Sequence, residues 1–298
     1  MNFEQITVAG CGVLGSQIAY QTAFKGFKVT VYDVDNNAIA AGQERISRLK
    51  TRYQKDLGAS QNQVDTAFDN MSFTSDLTKA VARAHLVIEA IPEVESIKMD
   101  FYQRLGQVAP KDTVFATNSS TLLPSQFAEA TGRPEKFLAL HFANTIWKNN
   151  TAEVMKHPKT DDAVFNDVIE FAQAIGMVAL PLSKEQPGYI LNSLLVPFLD
   201  AAQMLFLKEV ADAETIDKTW MIATGAPTGP FAILDTVGIP TAYNITLAKA
   251  QAPGGELYEK LADLLKTEFI DKGKLGRATG EGFYTYPNPK FTNPDFLK

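Results

Sequence analysis

The chain has three histidines, and one of them, His141, stands twelve residues before a glutamate, Glu153. Imidazole is the side chain that most often moves a proton near neutral pH. A carboxylate on its second ring nitrogen fixes the tautomer and stabilises the imidazolium. A lone histidine is more often a core residue, so the pair gains meaning only if a redox or transfer site lies beside it. Residues 6–33, "ITVAGCGVLGSQIAYQTAFKGFKVTVYD", supply one: Gly10, Gly12 and Gly15 keep G-x-G-x-x-G spacing and the stretch ends in Asp33. The first glycine permits a tight turn, the second lets backbone approach a pyrophosphate, and the third lets helix and strand pack closely. The amides around Val13 and Leu14 would then hold a diphosphate at a helix N-terminus. Asp33, eighteen residues beyond Gly15, is placed to accept from ribose hydroxyls. No arginine or lysine occurs in "DVDNNAIAAG" to hold a 2′-phosphate, so NAD is expected rather than NADP. Cys11, inside the turn, reads as a small packing residue.

Elements that could position these groups follow from the apolar pattern. "ITVAG" (6–10), "KVTVYD" (28–33), "HLVIEAI" (85–91), "TVFATNSS" (113–120), "FLALHF" (137–142) and "MVALPL" (177–182) read as buried strands. Helical stretches separate several of them, one from about Ser96 to Leu105. The alternation predicts an α/β fold: a Rossmann-type, doubly wound, mostly parallel sheet. Ligands of such sheets collect at the carboxyl ends of the strands. Gly10, Glu93, Ser120 and His141 stand at those ends, so they should converge. His85 opens a strand at the wrong end for chemistry, and His157 in "MKHPKT" reads as an exposed turn. Residues 36–70 read as a two-helix arm projecting from the sheet, its first helix carrying Arg45, Arg48, Lys50, Arg52 and Lys55. After "SKEQPG" (183–188) the pattern becomes helical throughout, broken at "GAPTGP" (225–230) and "APGG" (252–255). Domains are thus expected at 1–183 and at 184–298, the second all-α. "YILNSLLVPFLDAAQMLF" is apolar almost all round and should be buried. Asn192 shares a stripe with Leu195 and Leu199 and would need hydrogen-bond partners there.

Composition narrows the function. With 298 residues, 45% hydrophobic and 21% charged, the chain resembles an ordinary globular protein of about two domains. A net charge of −6 argues against a nucleic-acid partner. No apolar run is expected to reach the ~20 residues that span a bilayer, so no membrane partner is expected. "MNFEQITVAG" enters a strand with no basic leader, and a cytoplasmic location is the expectation. The single cysteine excludes an internal disulfide and a Cys-rich metal site, and no metal is expected.

In combination the motifs "GCGVLGSQIA" with "VYDVD", "VIEAIPEVESIK", "TNSSTLLPS", "LHFAN" with Glu153, "PGYILNSLLVPFL", "GAPTGPFAILDTVG" and "GRATGEGFYTY" resemble the L-3-hydroxyacyl-CoA dehydrogenase family, which includes 3-hydroxybutyryl-CoA dehydrogenases. The resemblance covers nearly the whole chain. It implies a Rossmann domain with a helical dimerisation domain, NAD as cofactor, an acyl-CoA substrate and a homodimer. His141 would be the general base and Glu153 its orienting partner, with Ser120 and Asn192 around the reacting oxygen. Asp33, Glu93, Lys98 and Asn144, with Ser120, would contact the cofactor. Arg48, Arg52 and Lys55 of the basic arm would face the coenzyme A phosphates.

Departures from the family pattern concern the substrate. Ala143 and Thr145 replace the usual phenylalanine and proline, Ser193 replaces an arginine, and Ala278 a lysine. Trp147, Asn149 and Asn150 fall in a segment expected to lie beside the reacting carbons. Amides there resist desolvation, so short acyl groups are expected to be preferred. Two other readings fit the same residues: a dehydrogenase of a non-CoA hydroxy acid, such as carnitine or gulonate, and a non-catalytic NAD-binding protein.

Overall fold

The computed structural model describes residues 3–298; the expectation about the start of the chain falls partly on Met1 and Asn2, outside the described residues. In chain order the first part runs β1 (Gln5–Ala9), α1 (Val13–Phe24), β2 (Lys28–Tyr32), α2 (Asn36–Leu57), α3 (Gln61–Asp69), β3 (Met71–Thr74), α4 (Leu77–Val81) and β4 (Leu86–Glu89). It continues with α5 (Glu95–Val108), β5 (Val114–Thr117), β6 (Phe137–Phe142), β7 (Thr151–Met155), α6 (Asp162–Ala174) and β8 (Val178–Leu182). The strands form one eight-stranded sheet in the order β3-β2-β1-β4-β5-β6-β7-β8. The doubly wound, mostly parallel fold is therefore as the sequence predicts. β7 runs antiparallel to β6, and β8 is parallel to β7, so the last two strands are reversed together.

Parallel strands covered on both faces need apolar side chains both ways. β1 meets this with Ile6 and Val8 against one layer and Ala9 against the other. β3 and β7 were not legible as strands. "MSFT" is a short, half-exposed edge, and "TAEVM" carries a buried acid, Glu153, where a core strand would carry an apolar residue.

The expected projecting arm is instead packed down. Asp35 caps α2 by accepting from the amide of Ala38 at 2.8 Å, and Gly58 ends the helix in the left-handed region. Ile46, Leu49 and Tyr53 point inward, and Val64 of α3 joins them in the core against Tyr20 of α1. That apolar stripe outweighs the basic one in placing the helix.

The chain divides into compact units at Met1–Ile190 and Leu191–Lys298, a few residues after the expected boundary. The second unit holds most of α7 (Tyr189–Leu207), then α8 (Ala213–Thr224), α9 (Pro230–Val237), α10 (Ile239–Ala250) and α11 (Glu256–Leu265). Its core gathers Leu199, Met221, Phe231, Leu234, Ile239 and Leu261. The helical pattern does not continue to the end. Beyond Ile270 the chain forms turns and small bridges, which Asp235 draws onto α9 by accepting from the amides of Phe283 and Tyr284.

Two expectations about α7 are corrected. It is not buried: Leu194 is 69% exposed, and Ile190, Leu191 and Leu205 are also exposed. It is also long and apolar enough, at nineteen residues and mean hydropathy 1.6, to cross a bilayer by length and composition. Within its own unit α7 is tied by polar contacts, Asp200 pairing with Lys249 at 3.0 Å and accepting from the Tyr258 hydroxyl.

Candidate active site

β6 and β7 pair so that His141 lies directly opposite Glu153. Facing residues of an antiparallel pair project to the same side within reach of each other. The imidazole Nδ1 donates to Glu153 Oε2 at 3.0 Å, and both side chains are buried, 7% and 3% exposed. Glu153 Oε1 accepts from the amide of Ile190 at 2.9 Å. With Nδ1 carrying the proton, Nε2 is an acceptor, and the hydroxyl of Ser120 lies 3.1 Å from it. Strand-end positions led Ser120 and His141 to be expected together, with Glu153 on the imidazole, and the structure brings all three together.

Ser120 is held through Glu93. One carboxylate oxygen of Glu93 accepts from the Ser119 hydroxyl, from the amides of Ser120 and Thr121, and from the Thr121 hydroxyl. Its other oxygen lies 3.3 Å from Lys98. Burial works against the charged carboxylate, yet the Ser119 and Thr121 donors with the Lys98 ammonium hold Glu93 at about 2. Beneath it, Lys98 is 1% exposed and bonds Glu89 Oε1 at 2.5 Å, while Tyr102 and Thr117 donate to Glu89 Oε2.

The glycine turn opens onto this group. A cavity of about 220 Å³ is lined by Gly12, Leu14, Gly15, Glu93, Lys98 and Ser120, among others. A Cβ on Gly12 would meet open space, the room a diphosphate requires. A Cβ on Gly15 would fall 1.9 Å from the carbonyl oxygen of Gly10, and one on Gly10 would fall 2.5 Å from that of Ala90. So Gly12 leaves space while Gly10 and Gly15 close the packing. Asp33 accepts from the Cys11 amide at 2.8 Å, the Cys11 thiol at 3.0 Å and the Val34 amide at 2.7 Å. Burial, followed by the Asp33 carboxylate, pushes the Cys11 thiol up to about 12, which keeps it a hydrogen-bond donor.

Two family models account for the chain. The NAD-binding domain of 3-hydroxyacyl-CoA dehydrogenase matches residues 5–186, and that enzyme's C-terminal domain matches residues 188–286. The chain belongs to the 3-hydroxyacyl-CoA dehydrogenase family. It is 32% identical to the human mitochondrial hydroxyacyl-coenzyme A dehydrogenase over 95% of this chain and 91% of that one. It is 31% identical to a probable 3-hydroxybutyryl-CoA dehydrogenase of Bacillus subtilis, over 96% and 98%. Among solved structures it is similar to a diketoreductase described for substrate-directed dual catalysis of dicarbonyl compounds, with 54% identity and a TM-score of 0.92, over 96% of this chain and all of that one.

NAD is the cofactor of this 3-hydroxyacyl-CoA dehydrogenase family chain. Other expected residues fall in different places. Asn144 is exposed, and its side-chain oxygen lies 3.5 Å from the Gln17 amide nitrogen. Arg48 pairs with Glu44, Arg52 lies 6.0 Å from the centre of the Trp147 ring, and Lys55 is exposed. Asn192 is half-buried in α7 within the second unit. His157, expected in an exposed turn, is buried, with Nε2 at 2.9 Å from the Pro134 carbonyl oxygen.

The segment after His141 is also corrected. Trp147 does not wall a reacting site: it is 6% exposed, packs on Tyr53 and donates its indole N–H to Asp56 at 2.9 Å. The Asn149 and Asn150 amides donate to the backbone carbonyls of Asn144 and Gly176. These asparagines satisfy the loop itself, so they supply no argument about acyl length. Thr145 sits at φ 62°, where a proline cannot, and its amide donates to Gln17.

Sequence reasoning missed Glu89, Ser119 and Tyr189. A charge inside the apolar run "VIEA" was a signal for the first. Nothing in the sequence distinguished Ser119 from Ser120.

Proposed function

We propose that this chain interconverts a 3-hydroxy and a 3-keto compound with NAD, using His141 as the proton-transfer group. The observation that carries the proposal is the hydrogen-bonded line from Ser120 through His141 to Glu153 beside the glycine turn. Bound NAD supplies the hydride acceptor, and its reduced form the donor. In oxidation, His141 Nε2 takes the hydroxyl proton, and Glu153 stabilises the imidazolium through Nδ1. Ser120 donates a hydrogen bond to the same oxygen. We assign Asn192 as a second donor there, on its match to the family motif. In reduction, the imidazolium returns the proton to the carbonyl oxygen.

We propose a 3-hydroxyacyl-CoA as substrate, in keeping with the name of the human relative, and a short one, in keeping with that of the Bacillus relative. Arg48, Arg52 and Lys55 are then assigned to the coenzyme A phosphates. A second reading, a free dicarbonyl compound, is favoured by the 54% identity to a diketoreductase. It gains support from α2, where Arg48 and Lys50 are already paired with Glu44 and Asp65. NADH oxidation followed with acetoacetyl-CoA beside free 3-keto acids and their esters decides between them. Efficient turnover of the thioester, inhibited by free coenzyme A, supports the first reading. Turnover of the free dicarbonyl compounds, unaffected by coenzyme A, supports the second, and no oxidation with either defeats the proposal.

The exposed apolar residues of α7 further support a homodimer, two-fold dimers being the commonest soluble assembly. Light scattering should return twice the 32.6 kDa chain mass, and a monomer at micromolar concentration would refute this. A cytoplasmic location completes the proposal.

A further inference from the structure

Tyr189 lies in the first unit, at the start of α7, against His141 and beside the residues that flank the proton-transfer line. Its ring stacks on the His141 imidazole with centroids 4.4 Å apart and planes 14° from parallel. Its hydroxyl donates to the carbonyl oxygen of Ser119 at 2.7 Å, beside the residue whose hydroxyl meets His141 Nε2. The next residue, Ile190, donates its amide to Glu153. Tyr189 is 1% exposed, and burial, then Glu93 and Glu153, pushes its phenol far up, so the hydroxyl remains a donor.

The backbone reinforces this reading. Gly188 and Tyr189 both adopt positive φ, 79° and 54°. Glycine does so without strain, but a bulky aromatic residue in the left-handed region is an outlier. Such strain persists only where surrounding contacts over-determine it, and it clusters at functional sites.

We infer that Tyr189 is the positioning residue of the catalytic imidazole: its ring fixes the plane of His141, and its hydroxyl ties that ring to the Ser119–Ser120 loop. The inference rests on the proposed role of His141. An imidazole free to rotate about its χ2 bond would misalign Nε2 toward Ser120 and Nδ1 toward Glu153 together. The stacked face prevents that rotation. Its electron-rich π surface also favours the positive charge that forms on the ring during proton uptake.

With three histidines in the chain, the Cε1–H proton signals are few, and His141→Asn identifies the one belonging to His141. The ring current of Tyr189 should move that signal upfield in the wild-type protein and in Tyr189→Phe, and the displacement should vanish in Tyr189→Leu. Tyr189→Leu should lower kcat ~10-fold, the upper range for an aromatic pair. NADH affinity should stay within about twofold of wild type, as expected when an interaction acts on chemistry rather than cofactor binding. Tyr189→Phe, which keeps the ring, should restore most of kcat. An undisplaced His141 signal in the wild-type protein overturns the inference even if Tyr189→Leu does not fold. Full kcat in Tyr189→Leu, with His141→Asn inactive, overturns it and leaves the role of His141 standing. Full turnover in His141→Asn overturns both.

Discussion

Glu153→Gln separates the charge of the dyad from its shape. Glu153 is 3% exposed and accepts from His141 Nδ1 on Oε2 and from the Ile190 amide on Oε1. A glutamine has one acceptor oxygen and an NH₂ group that can only donate. If its oxygen faces His141, its NH₂ meets the Ile190 N–H, donor against donor. If it flips, the NH₂ faces Nδ1 and forces the proton to Nε2, the atom that must accept. In either arrangement the imidazolium that forms loses its charged hydrogen-bond partner, ~1.5–3 kcal/mol, which converts to a ~10- to 150-fold lower kcat. His141→Gln should cost more, ~10²–10⁴-fold, because it removes the base itself. The assay is steady-state NADH oxidation at saturating keto substrate, with NADH affinity measured separately by fluorescence titration. Affinity should hold in both variants. A Glu153→Gln enzyme with wild-type kcat would refute the argument, since the imidazolium would then need no buried counter-charge.

Cofactor choice rests on Asp33: three protein donors fix its carboxylate, and it would repel a 2′-phosphate. NADH should exceed NADPH by at least ~10-fold in kcat/KM, and equal values would contradict this. Lys98→Met strands the buried Glu89 carboxylate without its cation. It should destabilise the protein by ~3–5 kcal/mol, and adding Glu89→Gln should recover part of that loss; an unchanged Tm in the single variant would count against it. Glu93 is held at about 2, below its ordinary 4.5. A lowered carboxylate contributes stability above 4.5 and loses it as pH falls toward 2. Denaturation against pH should therefore be flatter across that window in Glu93→Gln, and parallel curves would show that its donors contribute nothing.

The sequence carried the parallel strands and the dinucleotide turn because each is a local pattern: an apolar run, glycines at fixed offsets, an acid at a strand end. His141 and Glu153 were legible as a pair, but not as cross-strand neighbours, because β7 has a charge where a core strand has an apolar side chain. The fate of Trp147, Asn149 and Asn150 was not legible at all. Whether an indole or amide serves a ligand or its own loop depends on partners such as Asp56 and Gly176, which are remote in sequence. α7 misled for a related reason: hydrophobicity along a helix does not say how much of its surface the rest of the fold covers.

The reversed strand β7 has a consequence for engineering. Its register is set from both sides, by β6 through His141 opposite Glu153 and by β8 through Glu153 opposite Leu180. The loop joining β6 to β7 is therefore not what aligns the acid with the base. New residues can be spliced into it without retuning the proton-transfer pair, which makes it an insertion point that spares the chemistry. A two-glycine insertion between Lys148 and Asn149 that preserves kcat would establish that tolerance, and one that abolishes kcat while the protein stays folded would deny it.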